Sequence, residues 1–237
     1  MAHAPHAEQL HLHEELLLLA LHDTKGTLGG AHTSIGLGGA IAAELLLQER
    51  IRIDESRRWR KLVEVRDSRR TDDSILNECL KRIRSAKRRA SIQTWITRFS
   101  SMKKLHHRVA EQLCARRILR ADEQEILLLF RRRVFPEIDP GPEREIHSRL
   151  RAAIFSDHRE VEPRTVVLTA LAHAVGLLNP TFGRRELRPR RQRLKSLVKG
   201  DVIGRATANA VEAAQAAVAA AAVMPAIIAS SSSSNSS

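Results

Sequence analysis

The stretch VVLTALAHAVGLL, residues 166–178, contains no charged side chain. A helix that is apolar on almost every face is typical of a protein interior, where other elements cover it on all sides. Its thirteen residues are too few to cross a bilayer, which needs roughly twenty. The stretch therefore predicts a buried central helix, with a histidine of the core at His173, and the rest of the chain has to pack around it.

The segments on either side of this stretch have apolar residues at helical spacing and predict amphipathic helices. Ser34 is suited to cap one of them, and Thr71-Asp72-Asp73 opens another. A further segment, 184–199, is rich in arginine and forms a basic strip. The predicted helices cover 10–23, 35–48, a stretch from 73, 91–99, 103–119, 143–155 and 205–223.

Two places in the sequence predict short strands. IRID (51–54) and LVEV (62–65) alternate apolar and polar residues around a basic turn. LLLFRRRVFPEIDPGP (127–142) predicts two further strands that form a protruding hairpin, followed by a proline and glycine stop. At the tip of this hairpin we expect a charged turn that consists of Arg131, Arg132 and Arg133.

The composition favours an all-α, mainly helical protein. Hydrophobic residues make up 43% of the chain but aromatic residues only 3%, with no tyrosine, which disfavours β-sandwiches and barrels. We predict one helical domain over 10–223, a disordered lead at 1–9 and a serine-rich tail at 224–237. The N-terminal sequence lacks the basic region and cleavage site of a secretory signal, which predicts a cytoplasmic protein.

No pattern in the sequence indicates catalysis, a cofactor or a metal. Cys79 and Cys114 are too few for a disulfide framework or a four-cysteine zinc site. On a helix, His11 and His13 would diverge by about 200° and could not share an ion. We therefore predict that the protein is not an enzyme and binds neither cofactor nor metal.

The glycines between 26 and 39 do not form a nucleotide-binding loop. They match neither the Walker pattern, which ends in Gly-Lys-Ser/Thr, nor the dinucleotide pattern G-x-G-x-x-G. Close packing of a loop against the start of a helix explains them. An anion held by free backbone N–H groups near 34–36 stays open as an alternative.

The excess of positive charge is the remaining functional signal. The chain has 40 Lys and Arg against 27 Asp and Glu, a net charge of +13, which favours an anionic partner. The densest group opens the helix predicted at 103–119, on the face opposite its apolar stripe. Taken alone, this helix favours a solvated charged surface over a binding site. We take the group as the candidate lipid-binding site, formed by Lys103, Lys104, His106 and Arg108.

Seven segments, in their order along the chain, carry a family resemblance: LHLHEELLLLALHDTKG (10–26), SIGLGGAIAAELLLQERIRID (34–54), the helix from Asp73, IQTWI (92–96), VAEQL with RRIL (109–119), LLLF (127–130) and LTALAHA (168–174). Taken together, they resemble the Golgi phosphoprotein 3 family, which includes a yeast vacuolar-sorting relative. The short N-terminus and the arginine- and alanine-rich composition resemble its bacterial branch. The resemblance implies a helical domain with a hydrophobic central helix and a self-association hairpin, here 127–139.

The resemblance further implies binding of phosphatidylinositol 4-phosphate and linkage of Golgi membranes to the cytosolic tails of glycosyltransferases. The family's lipid site uses a Trp, an Arg and two later basic residues. In this chain the position that corresponds to the Trp lies within 29–31, where Gly29 stands. The position that corresponds to the Arg is Gly38. The later pair falls on Lys103 and His106, so that headgroup selectivity is an open question.

These observations leave three function hypotheses. The first is a non-enzymatic, cytoplasmic protein that docks peripherally on anionic phospholipid and acts as an adaptor. The second is nonspecific binding of nucleic acid through the same charge, which the scarcity of aromatic residues disfavours. The third is a protein–protein adaptor without lipid selectivity, which forms homo-oligomers through the hairpin.

Overall fold

A computed structural model describes residues 9–21, 31–54, 61–126, 130–158 and 160–199. The mainly helical fold that the sequence predicts is confirmed. The elements, with a single 3₁₀ turn at Arg188–Arg190 between the last two helices, are α1 (Leu12–Ala20), α2 (Ala31–Leu47), β1 (Ile51–Asp54), β2 (Leu62–Val65), α3 (Ser74–Arg84), α4 (Ile92–Ser100), α5 (Leu105–Ala115), β3 (Asp122–Ile126), β4 (Phe130–Val134), α6 (Gly141–Phe155), α7 (Pro163–Ala174), α8 (Leu178–Phe182), α9 (Arg184–Leu187) and α10 (Arg191–Lys199).

The central helix is α7, which packs against α1, α2, α6 and α10. Pro163 occupies its first turn, and the Glu162 carboxylate caps it by accepting hydrogen bonds from two backbone N–H groups. The helix ends four residues earlier than the sequence predicts, because the chain turns at Gly176, where φ is +79°. His173 is consequently exposed near the helix end, and its prediction as a core residue is wrong.

The packing of α2 depends on two glycines. A Cβ at Gly36 would lie 2.7 Å from a methyl carbon of Val175, at the end of α7. A Cβ at Gly38 would lie 2.5 Å from the carbonyl oxygen of Ile96 in α4. Both distances are shorter than atoms tolerate, so only glycine lets these helices approach so closely. Helix α2 also begins at Ala31, so Ser34 lies within it and does not cap it as predicted.

The structure contains two antiparallel hairpins. Strands β1 and β2 have the predicted bounds and pair with Ile51 opposite Val65. The second hairpin begins earlier than predicted, because its first strand is the acidic segment β3. Its register sets Glu123 and Glu125 opposite two of three consecutive arginines in β4. The prediction that these arginines form the tip is therefore wrong for Arg131, Arg132 and Arg133.

The buried apolar side chains form one hydrophobic core that runs from Leu10 to Leu197. It includes the apolar face of α3, whose N-terminus is capped by Asp73 through a hydrogen bond from the Leu76 amide. The predicted lead, apart from Gln9, lies outside the described residues. So do the helix predicted at 205–223 and the tail predicted at 224–237.

Candidate functional site

Two adjacent lysines precede α5 and are both exposed. Lys104 is the residue before the first turn and has φ +55°, the left-handed region, which costs a non-glycine residue roughly 1–2 kcal/mol. A cation at a helix N-terminus also opposes the helix dipole. Neither Lys103 nor Lys104 has an ion pair with any residue that the structure describes. Unfavourable backbone geometry and unpaired charge thus coincide here.

His106, one turn further along α5, joins these lysines to the start of α2. Its Nε2 lies 3.1 Å from the Ser34 hydroxyl oxygen. Burial, together with the neighbouring His107, lowers the pKa of His106 below its ordinary value of 6.5. The imidazole is therefore mainly neutral at pH 7, and it contributes hydrogen bonding rather than charge to this surface.

Arg108 differs from the other members of the predicted cluster, because its charge is matched within the fold. Its guanidinium donates to a Glu78 oxygen of α3 at 2.6 Å. Burial opposes ionisation of Glu78, but hydrogen bonds from Arg82 and Arg108 outweigh it and lower the pKa of the carboxyl. The structure therefore leaves Lys103 and Lys104 as the free cations of the predicted site, which we call the lysine pair.

The two positions where the resemblance placed further lipid contacts do not add to this site. Gly29 lies outside the described residues. Gly38 lies inside the fold against α4, and its close approach to the Ile96 carbonyl leaves no room for a side chain. With α2 and α4 in this arrangement, position 38 cannot supply an arginine to a lipid.

One arginine of the hairpin has an ion-pair partner in α5. Arg133 donates to a Glu111 oxygen at 2.9 Å. The register of the β3–β4 ladder also sets Arg133 opposite Glu123, and opposite charges across an antiparallel pair stabilise a hairpin. The same register places Arg131 and Arg132 opposite Glu125 and Gln124. Self-association through this hairpin stays a prediction.

A group of charged side chains is buried beneath α1. Three of its carboxylates are at most 2% exposed, and each pairs with an arginine from a distant part of the chain. The N–O distances are 3.0 Å for Arg116–Glu14, 2.6 Å for Arg149–Glu15 and 3.0 Å for Arg164–Glu44. We call this group the buried ionic cluster; its members are His11, His13, Glu14, Glu15, Glu44, Asp73, Arg116, Arg149 and Arg164.

The histidines of the buried ionic cluster correct one prediction. His11 precedes the helix with extended backbone angles, so its ring stacks on that of His13 at 5.6 Å instead of diverging from it. Both rings face carboxylates, with His13 Nε2 lying 3.2 Å from an Asp73 oxygen. Within the described ranges, no three His, Cys, Asp or Glu side chains converge as a metal site requires.

Burial and charge pairing compete in this cluster, with opposite results at Glu15 and Glu44. Burial raises the pKa of Glu15 in spite of Arg164 and Arg149 beside it. Burial also opposes ionisation of Glu44, but hydrogen bonds with His11 and Arg164 outweigh it and lower that pKa. Each of the three carboxylates pairs with a guanidinium group, so removal of one partner would leave an uncompensated buried charge and destabilise the fold strongly.

Two further findings concern the chain as a whole rather than single side chains. In the part of the chain that the structure describes, no helix is both long and apolar enough to span a bilayer. A family model of Golgi phosphoprotein 3 (GPP34) matches residues 12–214, which cover most of the sequence, from α1 to beyond α10. The chain therefore belongs to the Golgi phosphoprotein 3 family.

Proposed function

We propose that this protein docks peripherally on anionic phospholipid membranes through the lysine pair. The observation that carries the proposal is two adjacent exposed lysines without an ion-pair partner among the described residues, one of them in the left-handed backbone conformation. Membership of the family is consistent with a role in lipid binding or as an adaptor. A basic residue near an anionic lipid surface contributes about 1 kcal/mol, so two give a weak but real attraction.

The chemistry of the pair favours attraction to charge over recognition of one headgroup. An ammonium acts as a point charge, whereas the planar guanidinium of arginine forms paired hydrogen bonds with phosphate oxygens. His106 is mainly neutral and position 38 holds no side chain. Phosphatidylinositol 4-phosphate is the lipid that the family resemblance implies, and we propose that it is bound here chiefly for its negative charge.

The surface that faces away from the membrane would bind the protein partners of an adaptor. A protein held at the cytoplasmic face of a membrane by exposed lysines leaves its remaining surface free for cytosolic tails of membrane proteins. Strands β3 and β4 pair only with each other among the described residues, so each offers an outer edge for pairing with a second copy. These partners are proposals that rest on the family and on the edges of the hairpin.

The test is co-sedimentation with vesicles of phosphatidylcholine, alone or with phosphatidylserine or phosphatidylinositol 4-phosphate. We expect the wild type to bind both anionic vesicles, and Lys103→Glu/Lys104→Glu to lower the affinity at least about tenfold. The matched control is Lys87→Glu/Arg88→Glu, which makes the same charge change in the exposed loop after α3.

Two outcomes would contradict the proposal. Unchanged vesicle binding by the Lys103→Glu/Lys104→Glu variant would show that the lysine pair is not the docking site. An equal loss in the control would show that vesicle binding depends on the net charge of the protein and not on these two lysines. Duplex DNA added as a competitor distinguishes the alternative: displacement from vesicles by DNA would favour nucleic-acid binding, whose affinity falls steeply with salt.

A further inference from the structure

A cavity of about 440 Å³ lies between the end of α7 and the run from α9 to α10. Three arginines line one wall, and they follow one another at intervals of four and three residues, which places them on one face of a helical run. His173, Gly176 and Asn179 form the other wall. We call it the arginine cavity, after Arg184, Arg188 and Arg191.

The base of the arginine cavity is apolar. Leu178, Leu187 and Leu194 line it and are between 3% and 7% exposed, because they belong to the hydrophobic core. The arginines around them are exposed. A ligand that fits this surface therefore combines a negatively charged group with a short carbon skeleton.

The guanidinium groups of the arginine cavity have no hydrogen-bond or ion-pair partner among the residues that the structure describes. Other arginines of the same region do have partners: Arg190 pairs with Asp157 at 2.9 Å, and Arg193 donates to the Ala153 carbonyl at 3.0 Å. Like charges at such helical spacing repel each other by a few tenths of a kcal/mol per pair in isolated helices. The cavity thus holds concentrated positive charge and unused donors, at a cost to the helix.

We propose that the arginine cavity binds a phosphate ester. Guanidinium groups donate two parallel hydrogen bonds to phosphate oxygens, and three of them around one cavity can surround a phosphate. The Asn179 amide and the His173 ring on the other wall can contact the rest of the polar group, while the leucines contact the carbon skeleton. The ester is either the headgroup of a membrane lipid or a free phosphorylated metabolite.

The position of the cavity relates it to the membrane site without making it depend on that site. Val175, next to Gly176 of the cavity wall, packs against Gly36 on one side of α2. Ser34, two residues earlier and on another side of the helix, contacts His106 beside the lysine pair. Neighbours of the two basic surfaces therefore contact different sides of α2, and the surfaces themselves share no residue.

The experiment is calorimetric titration of the full chain with two probes, glycerol 3-phosphate and dihexanoyl phosphatidic acid. We expect binding that Arg188→Gln/Arg191→Gln weakens at least about tenfold, since a hydrogen bond to a charged group is worth more than one decade in affinity. The matched control is Arg185→Gln/Lys195→Gln, which removes two exposed charges from the same segment outside the cavity. Circular dichroism and thermal unfolding verify that both variants fold.

The outcomes separate the two sources of the ester. Equal binding of both probes identifies a free phosphate ester, and binding of the acylated probe alone identifies a lipid headgroup. Absence of binding by both probes, or an equal loss in the control, would overturn the proposal. Lys103→Glu/Lys104→Glu should retain probe binding, so failure of the membrane proposal and failure of this one can be told apart.

Discussion

Two groups of three arginines in this protein differ in whether a carboxylate of the described fold pairs with them. In the buried ionic cluster, each guanidinium pairs with a carboxylate that is at most 2% exposed. In the arginine cavity, no guanidinium pairs with any described residue. A net charge of +13 hides this difference, because it counts both groups alike. What distinguishes them is whether the described part of the fold supplies the anion; for the second group we propose that a ligand supplies it.

The largest expected effect is at Arg164. It donates to Glu44 at 3.0 Å and to the Leu10 carbonyl, and it lies 3.6 Å from Glu15. Arg164→Met would leave two buried carboxylates without this partner, and we expect the free energy of unfolding to fall by about 3–5 kcal/mol. Urea unfolding monitored by circular dichroism measures the loss.

Arg188→Met is the control for Arg164→Met. Arg188→Met removes a guanidinium of the arginine cavity, and we expect it to change the free energy of unfolding by no more than about 0.5 kcal/mol. Equal losses in the two variants would show that the two groups of arginines contribute alike to folding, and the distinction between them would fail.

Acid should remove stabilisation that the buried ionic cluster gives to the fold, and it should leave the arginine cavity unchanged. Burial opposes ionisation of Asp73, but its hydrogen bond with His13 outweighs this and lowers the pKa to about 2. A lowered carboxyl pKa stabilises the fold above the unfolded value near 3.8, and this stabilisation is lost as the pH falls from there towards 2. His11, whose pKa is raised above 6.5, is protonated throughout this range and does not contribute to the change.

The measurement is the free energy of unfolding at pH 5 and pH 2 for the wild type and Asp73→Asn. Asparagine is also a good N-cap, so the variant keeps the start of α3 and removes chiefly the titration. We expect the pH-dependent loss to be smaller in the variant by about 2 kcal/mol. The same pH dependence in both proteins would show that Asp73 does not carry this part of acid unfolding.

The smallest expected effect on stability is the most informative about the arginine cavity. Arg188→Glu places a carboxylate four residues after Arg184, where opposite charges attract along a helix. We expect the free energy of unfolding to stay the same or rise by about 0.3 kcal/mol, while binding of glycerol 3-phosphate is lost. Thermal unfolding and calorimetric titration of one preparation test both halves, and a large loss of stability would contradict the prediction.

Local signals in the sequence predicted the elements that depend on neighbouring residues. The alternation in IRID and LVEV gave the bounds of β1 and β2, and Asp73 opens α3 as a helix-capping residue should. Long-range partners were inaccessible to the same reasoning. The register that pairs Glu123 with Arg133 joins a strand to a segment that, taken alone, has the composition of a turn.

In the candidate site, too, local features were predictable from the sequence and long-range contacts were not. The sequence predicted Lys103 and Lys104 on the polar face of a helix over 103–119; both are exposed, although they precede α5. The pairing of Arg108 with Glu78 spans 30 residues, and no local pattern indicates it. The spacing of Arg184, Arg188 and Arg191 is visible in the sequence, but no local pattern indicates that this segment lies against the end of α7 and forms a cavity with it.

The close approach of α2 and α4 also makes position 38 a determinant of helix packing. A Cβ at Gly38 would come within 2.5 Å of a backbone oxygen and 2.9 Å of the Ser100 nitrogen, so any larger residue requires α2 and α4 to move apart. A substitution at this position therefore changes the distance between two helices before it changes the chemistry of a surface.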